Sequence, residues 1–170
     1  MDVAHVTWMI KKALITSKKE KIDSTILLPL VILHDVGYGV SKHVYFDKKL
    51  KKRHMAEGAR ISEEILNKVN YPKDKIKQIK YFISVHDNWI LGDEKIYKKY
   101  KVLGIFNDLD FVWIVTSKGF GMVSDILRKN KKRYILELIK EGNEKYFSSR
   151  STKKLFEDYA SKTKRLVLKT

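Results

Sequence analysis

The sequence predicts an all-α fold, a single-domain helical bundle with a C-terminal helical extension. Apolar residues recur at three- and four-residue spacing along most of the chain, the period of a helix face. The alternation of a half-buried strand is nowhere sustained. Glycine and proline, which punctuate turns and sheets, number only 8 and 2 in 170 residues. That length suits one domain and buries enough core to fold without disulfides or a structural metal.

The elements follow in order. Val3 to Leu14 places Val3, Val6, Met9, Ile10, Ala13 and Leu14 at helical spacing. Asp23 or Ser24 caps a second helix through Ile26 to Asp35, since a short side-chain oxygen there accepts from the first unpaired N–H groups. Pro29 falls early in it, where a kink is tolerated, and Gly37-Tyr38-Gly39 ends it. Val40 to Arg53 reads as a basic, irregular connection. Met55 to Val69 is a third helix with Ala59, Ile65 and Leu66 inward. Tyr71-Pro72 opens a fourth, carrying Ile76, Ile79, Phe82 and Ile83 inward. Tyr100 to Val115 is apolar on every side except for Asn107, Asp108 and Asp110. A helix apolar all round lies in the middle of a bundle, so acids on it need a reason. Gly119-Phe120-Gly121 reads as a break, followed by helical stretches at Met122 to Leu127, Tyr134 to Ile139 and Leu155 to Leu168. Residues 1–116 are the main helical domain, and 117–170 are a basic extension packed on it.

Charge and composition narrow the function classes. The formal net charge is +16, from 36 Lys plus Arg against 20 Asp plus Glu. Such a balance suits an anionic partner, but it also arises from surface composition. Only six of the basic residues are Arg, whose planar fork reads phosphate best. Ser117 to Thr170 holds 15 basic and 6 acidic residues, the denser concentration of charge. Without Cys, a thiolate zinc site, an iron–sulfur cluster and a thiol nucleophile are excluded. The longest apolar run, Ile26 to Leu33, is far short of the roughly 20 residues of a membrane span. Met1 to Ile10 lacks the basic start and apolar stretch of a signal peptide, so the expectation is a cytoplasmic protein that does not engage a membrane.

The chemistry-bearing residues fall on these helices. His5 lies on the first, His34 and Asp35 at the end of the second, His54 at the start of the third and His86 at the end of the fourth. His43 lies in the basic connection. A single such His is usually a hydrogen-bonded core residue, and a single Asp a cap. Together they are harder to dismiss, because imidazole and carboxylate suit Mn, Fe, Co, Ni or Zn. A helical bundle assembles such ligands from several helices, and a carboxylate beside a His can bridge two ions.

These residues resemble the HD-domain superfamily of metal-dependent phosphohydrolases. The family pattern is a His, then a His-Asp doublet, then a later Asp; here these are His5, the doublet in Leu33-His34-Asp35-Val36-Gly37, and Asp110. A binuclear subset adds two histidines, matched by His54 in His54-Met55-Ala56-Glu57-Gly58-Ala59 and by His86 in Ile83-Ser84-Val85-His86-Asp87-Asn88. The likeness covers roughly His5 to Trp113. Two features depart from it. Asp108-Leu109-Asp110-Phe111-Val112 keeps the last motif only loosely, with Asp108 the second choice of ligand. The Lys that many members carry soon after the doublet is replaced by Val36-Gly37-Tyr38-Gly39.

The resemblance implies one or two divalent transition-metal ions, with Asp35 shared between His5, His34 and Asp110 on one side and His54 and His86 on the other. It implies hydrolysis of a phosphate ester or anhydride, of a nucleotide first of all, by metal-activated water. Lys51, Lys52, Arg53 and Arg60 flank His54; Arg53 is the expected phosphate contact, since its fork matches phosphate. Asp87 can orient a ligand, carry a proton or cap a helix. Tyr38 and Trp89 read as core aromatics rather than a stacking platform. Two alternatives share the fold: a di-iron oxygenase with nearly the same ligands, and a nucleic-acid-binding protein that uses the basic C-terminal third.

Overall fold

A computed structural model describes residues 3–39 and 47–169. Among these the fold is all-α, with nine α-helices, two short 3-10 turns and no strand. The helices are α1 (Val3–Glu20), α2 (Ser24–Leu33), α3 (Lys48–Lys68), α4 (Lys73–Val85), α5 (Lys95–Lys99), α6 (Lys101–Ile114), α7 (Ser117–Ile126), α8 (Lys131–Glu144) and α9 (Arg150–Lys169). The 3-10 turns are Val36–Gly39 and Asn88–Leu91. His43 and the rest of 40–46 lie outside the described residues.

Local chemistry sets the boundaries. Asp23 caps α2, its carboxylate accepting from the Thr25 N–H at 2.8 Å. Asp47 caps α3, accepting from Lys49 and Leu50 at 2.9 Å each. The helix therefore starts seven residues before Met55 and takes in the basic stretch through Arg53. Those first turns are too poor in apolar residues for periodicity to mark them. Gly119-Phe120-Gly121 is not a break: α7 runs through it, and the boundary lies at Thr116, whose hydroxyl accepts from the Gly119 N–H at 3.1 Å. Gly119 is needed for contact, since a Cβ there would sit 2.1 Å from the Trp113 carbonyl oxygen. Helices α1, α3 and α7 are followed by Lys21, Asn70 and Arg128 in the left-handed region, at φ 51°, 54° and 51°. None of the three is glycine, and only Asn70, ahead of Tyr71-Pro72, is a residue type that marks such an end.

Two apolar clusters form the core. The first packs Met9, Leu27, Leu30, Ile79, Phe82 and Phe106; the second packs Val112, Val115, Phe120, Ile135, Leu138 and Phe156. Helix α6 contributes to both, as an all-apolar helix should. Helix α9 lies against α1, α6, α7 and α8, so the C-terminal third is packed onto the helices that precede it. Among the described residues no helix is long and apolar enough to cross a membrane.

Candidate metal centre

Four helix positions and one turn bring the His/Asp residues together. His5 comes from the first turns of α1, His34 and His86 cap the C-termini of α2 and α4, His54 sits within α3, and Asp35 follows His34. The α2 end can lie on α3 because Gly37 and Gly58 face each other there. A Cβ on Gly37 would meet the His54 carbonyl oxygen at 2.1 Å and the Gly58 nitrogen at 2.8 Å.

Two groups of ligand-type atoms result, each with its members within 4.8 Å of one another: His5, His34 and Asp35, and then Asp35, His54 and His86. The Asp35 carboxylate divides between them, Oδ2 lying 3.3 Å from His34 Nε2 and Oδ1 3.5 Å from His54 Nε2. The Nε2 atoms of His54 and His86 are 3.4 Å apart. Asp110 joins the first group through His5, its Oδ1 2.9 Å from Nε2.

The tautomers follow from the neighbours. His34 Nδ1 lies 2.9 Å from the Val31 carbonyl and His86 Nδ1 2.8 Å from that of Ile83. A carbonyl only accepts, so each Nδ1 donates and each Nε2 is the nitrogen that faces the centre, where it can ligate an ion once it carries no proton. His5 Nε2, His34 Nε2 and His54 Nδ1 are buried and close no hydrogen bond of good geometry. Converging imidazole lone pairs and a shared carboxylate are a donor set that a divalent ion satisfies.

The electrostatics agree. Burial would depress the His34 pKa, but the carboxylates of Asp35 and then Asp110 raise it to about 9. A field that holds a proton this firmly attracts other cations. Asp35 is held well below the usual carboxylate range, with burial opposing and His34 outweighing it. Burial lowers the pKa of His86 and keeps it neutral.

The remaining expected residues divide. Asp110 faces the centre. Asp108 does not: two positions away on α6, it turns to the opposite side and accepts from the Ser148 N–H and the Thr152 hydroxyl, each at 2.7 Å. Burial raises its pKa to about 6 against those bonds. Asp108 is thus a tether for α9. Arg53 is exposed and does not line the cavity at the centre. The cation that lines it beside the His/Asp groups is Lys51, which is buried and whose Nζ lies 2.5 Å from Asp87 Oδ2. The reason is helical spacing: Lys51 is three residues before His54 and shares its face, whereas Arg53 is one residue away and rotated off it. That rule would have found Lys51 in the sequence.

Asp87 also accepts from Trp89 Nε1 at 3.1 Å and lies 3.4 Å from His86 Nε2. The Tyr97 hydroxyl donates to the His86 carbonyl at 2.8 Å and accepts from the Trp89 N–H at 3.0 Å, so short α5 pins the turn after His86. Tyr38 stacks on His54 with ring centroids 3.7 Å apart. Tyr38, Lys51, Asp87 and Trp89 all line one cavity of about 630 Å³ that also contains His5, His34, Asp35, His86 and Asp110. Tyr38 and Trp89 are therefore walls of the site rather than closed core.

No family model, curated protein or solved structure matches the chain.

Proposed function

We propose that this chain is a metal-dependent phosphohydrolase of the HD-domain type, acting on a phosphate ester or anhydride. The observation that carries the reading is the pair of His/Asp groups sharing one carboxylate, Asp35, which lines a cavity. His5, His34 and Asp35, with Asp110 beside His5, would hold one ion; Asp35, His54 and His86 would hold a second. Divalent ions bound there supply Lewis acidity and bring the pKa of water towards neutrality, so no nucleophilic side chain is needed.

The protein's own groups do the rest. Burial would depress the Lys51 pKa, but Asp87 beside it raises it above the ordinary lysine value, so a permanent cation faces the cavity. An ammonium carries three protons and Asp87 takes one, which fixes the direction in which Lys51 meets a phosphate oxygen. The peptide carbonyls of Val31 and Ile83 hold the His34 and His86 rings in register. Tyr38 covers the open face of His54.

Elemental analysis of the purified protein, followed by a phosphate-release screen with Mn, Co or Fe under nitrogen, tests the reading. Metal retained by the protein and phosphate released without oxygen are expected; His34→Ala and Asp35→Ala should lose both and keep the helical circular dichroism. Full metal occupancy in either variant would remove the assignment of the centre. No phosphate release under nitrogen from any ester or anhydride would remove the hydrolase.

A further inference from the structure

We propose that the part of the cavity beyond the His/Asp centre binds the apolar body of a phosphate monoester, so that the substrate carries negative charge at the centre end only. This rests on the phosphohydrolase reading and narrows its substrate class.

The cavity does not stop at the centre. It continues between α6, α7 and α8, and one wall is apolar: Phe111 and Ile114 from α6, and Met122, Val123, Ile126 and Leu127 from α7. Its volume of about 630 Å³ is that of an organic-ligand site. Ile126 is 52% exposed, a large aliphatic group with no core to fill. Helix α8 lines it too, with Tyr134, Glu137, Leu138, Glu141 and Glu144 at three- and four-residue spacing, Glu141 and Glu144 being exposed.

Charge then decides the class. In a chain of net charge +16, the described residues lining this chamber beyond the centre include Glu94, Glu137, Glu141 and Glu144 against Lys98, Lys129 and Lys145. Lys129 is drawn to Glu137 at 3.6 Å, and Lys145 lies 3.9 Å from Asp108. A second or third phosphate, or a nucleic-acid backbone, would lie against carboxylates here while abundant cations stand elsewhere on the surface. An alkyl, isoprenoid or aromatic alcohol meets the apolar wall without that cost. In the reaction, the P–O bond to this alcohol breaks as a P–O bond from water forms, and the alcohol leaves with a proton.

The experiment is a tryptophan-fluorescence titration, with Mn(II) present, by decylphosphonate and by methylphosphonate, two non-hydrolysable monoester mimics. Decylphosphonate is expected to bind at least about tenfold more tightly. Ile126→Glu and Met122→Glu, on the partly exposed wall, should each remove that advantage and leave methylphosphonate binding unchanged. Equal affinity for the two probes overturns the proposal. So does a decyl advantage that both variants retain, or a nucleoside triphosphate that outcompetes decylphosphonate. Phosphate release separates this from the underlying reading. Release from methyl and decyl phosphate at equal kcat/KM overturns the chamber alone. A decyl advantage lost in both variants, with no release from any ester or anhydride, supports the chamber and overturns the hydrolase.

Discussion

Lys51 and Asp87 meet at 2.5 Å beside the cavity, both nearly out of solvent. Burial would raise the Asp87 pKa, but the Lys51 ammonium outweighs it and holds the group ionised below its ordinary range. A depressed carboxylate contributes stability above its unfolded pKa, about 4, and loses it as pH falls further. A raised Lys51 contributes below the unfolded lysine value, about 10, and loses it as pH rises past that. The pair thus works across the whole interval between. Lys51→Met strands a buried carboxylate and should cost about 3 kcal/mol. Urea unfolding at neutral pH measures this, and the gap from the parent should narrow as pH falls, because the stranded Asp87 takes up its proton at a higher pH than the paired one. A cost under about 1 kcal/mol would mean that water in the cavity already solvates the pair. Arg53 carries the better phosphate fork, but it is on the wrong side of α3 to use it.

Between elements, the centre depends on how closely the end of α2 can approach α3. Gly37 and Gly58 permit the contact, and any side chain at Gly37 would push into the α3 backbone beside His54. Gly37→Ala is expected to cost about 3 kcal/mol, the upper part of the range for overpacking, and to weaken metal retention by separating Asp35 from His54. Gly39→Ala is the control, because a Cβ there meets nothing within 4 Å among the described residues. Thermal melts with parallel elemental analysis of both variants check the pair. Equal metal content and melting temperature in Gly37→Ala would show that the α2–α3 approach does not set the centre. The Gly37-Tyr38-Gly39 stretch was readable as the end of a helix, but its second role was not, because it concerns a partner 17 or more residues away in the chain.

At the scale of the molecule, α6 threads both apolar clusters and Asp108 ties α9 back to it, so the basic C-terminal third shares the core of the rest. The +16 charge is spread over that surface, mostly as lysine, and repels itself at low ionic strength. Raising NaCl from about 0.01 M to about 0.3 M shortens the Debye length from about 30 Å to below 10 Å and should raise the melting temperature. Calorimetry across that series measures it. A melting temperature that falls with salt would mean that favourable exposed ion pairs such as Arg60–Glu64 outweigh the net repulsion.

The sequence by itself determined the helical class and the types and order of the chemistry-bearing residues. Periodicity and residue identity are properties of the chain read locally, and His34-Asp35, His54 and His86 stand at recognisable points along it. Only the tertiary structure decided which groups meet. Asp110 faces the His/Asp centre while Asp108 anchors α9, although the two lie on one helix two residues apart. Lys51 rather than Arg53 faces the cavity, and the cavity runs on between α6, α7 and α8. The physical reason is common to all three. A residue's facing depends on its helix rotation and on what packs opposite, and the second of these is set by segments far away in the chain.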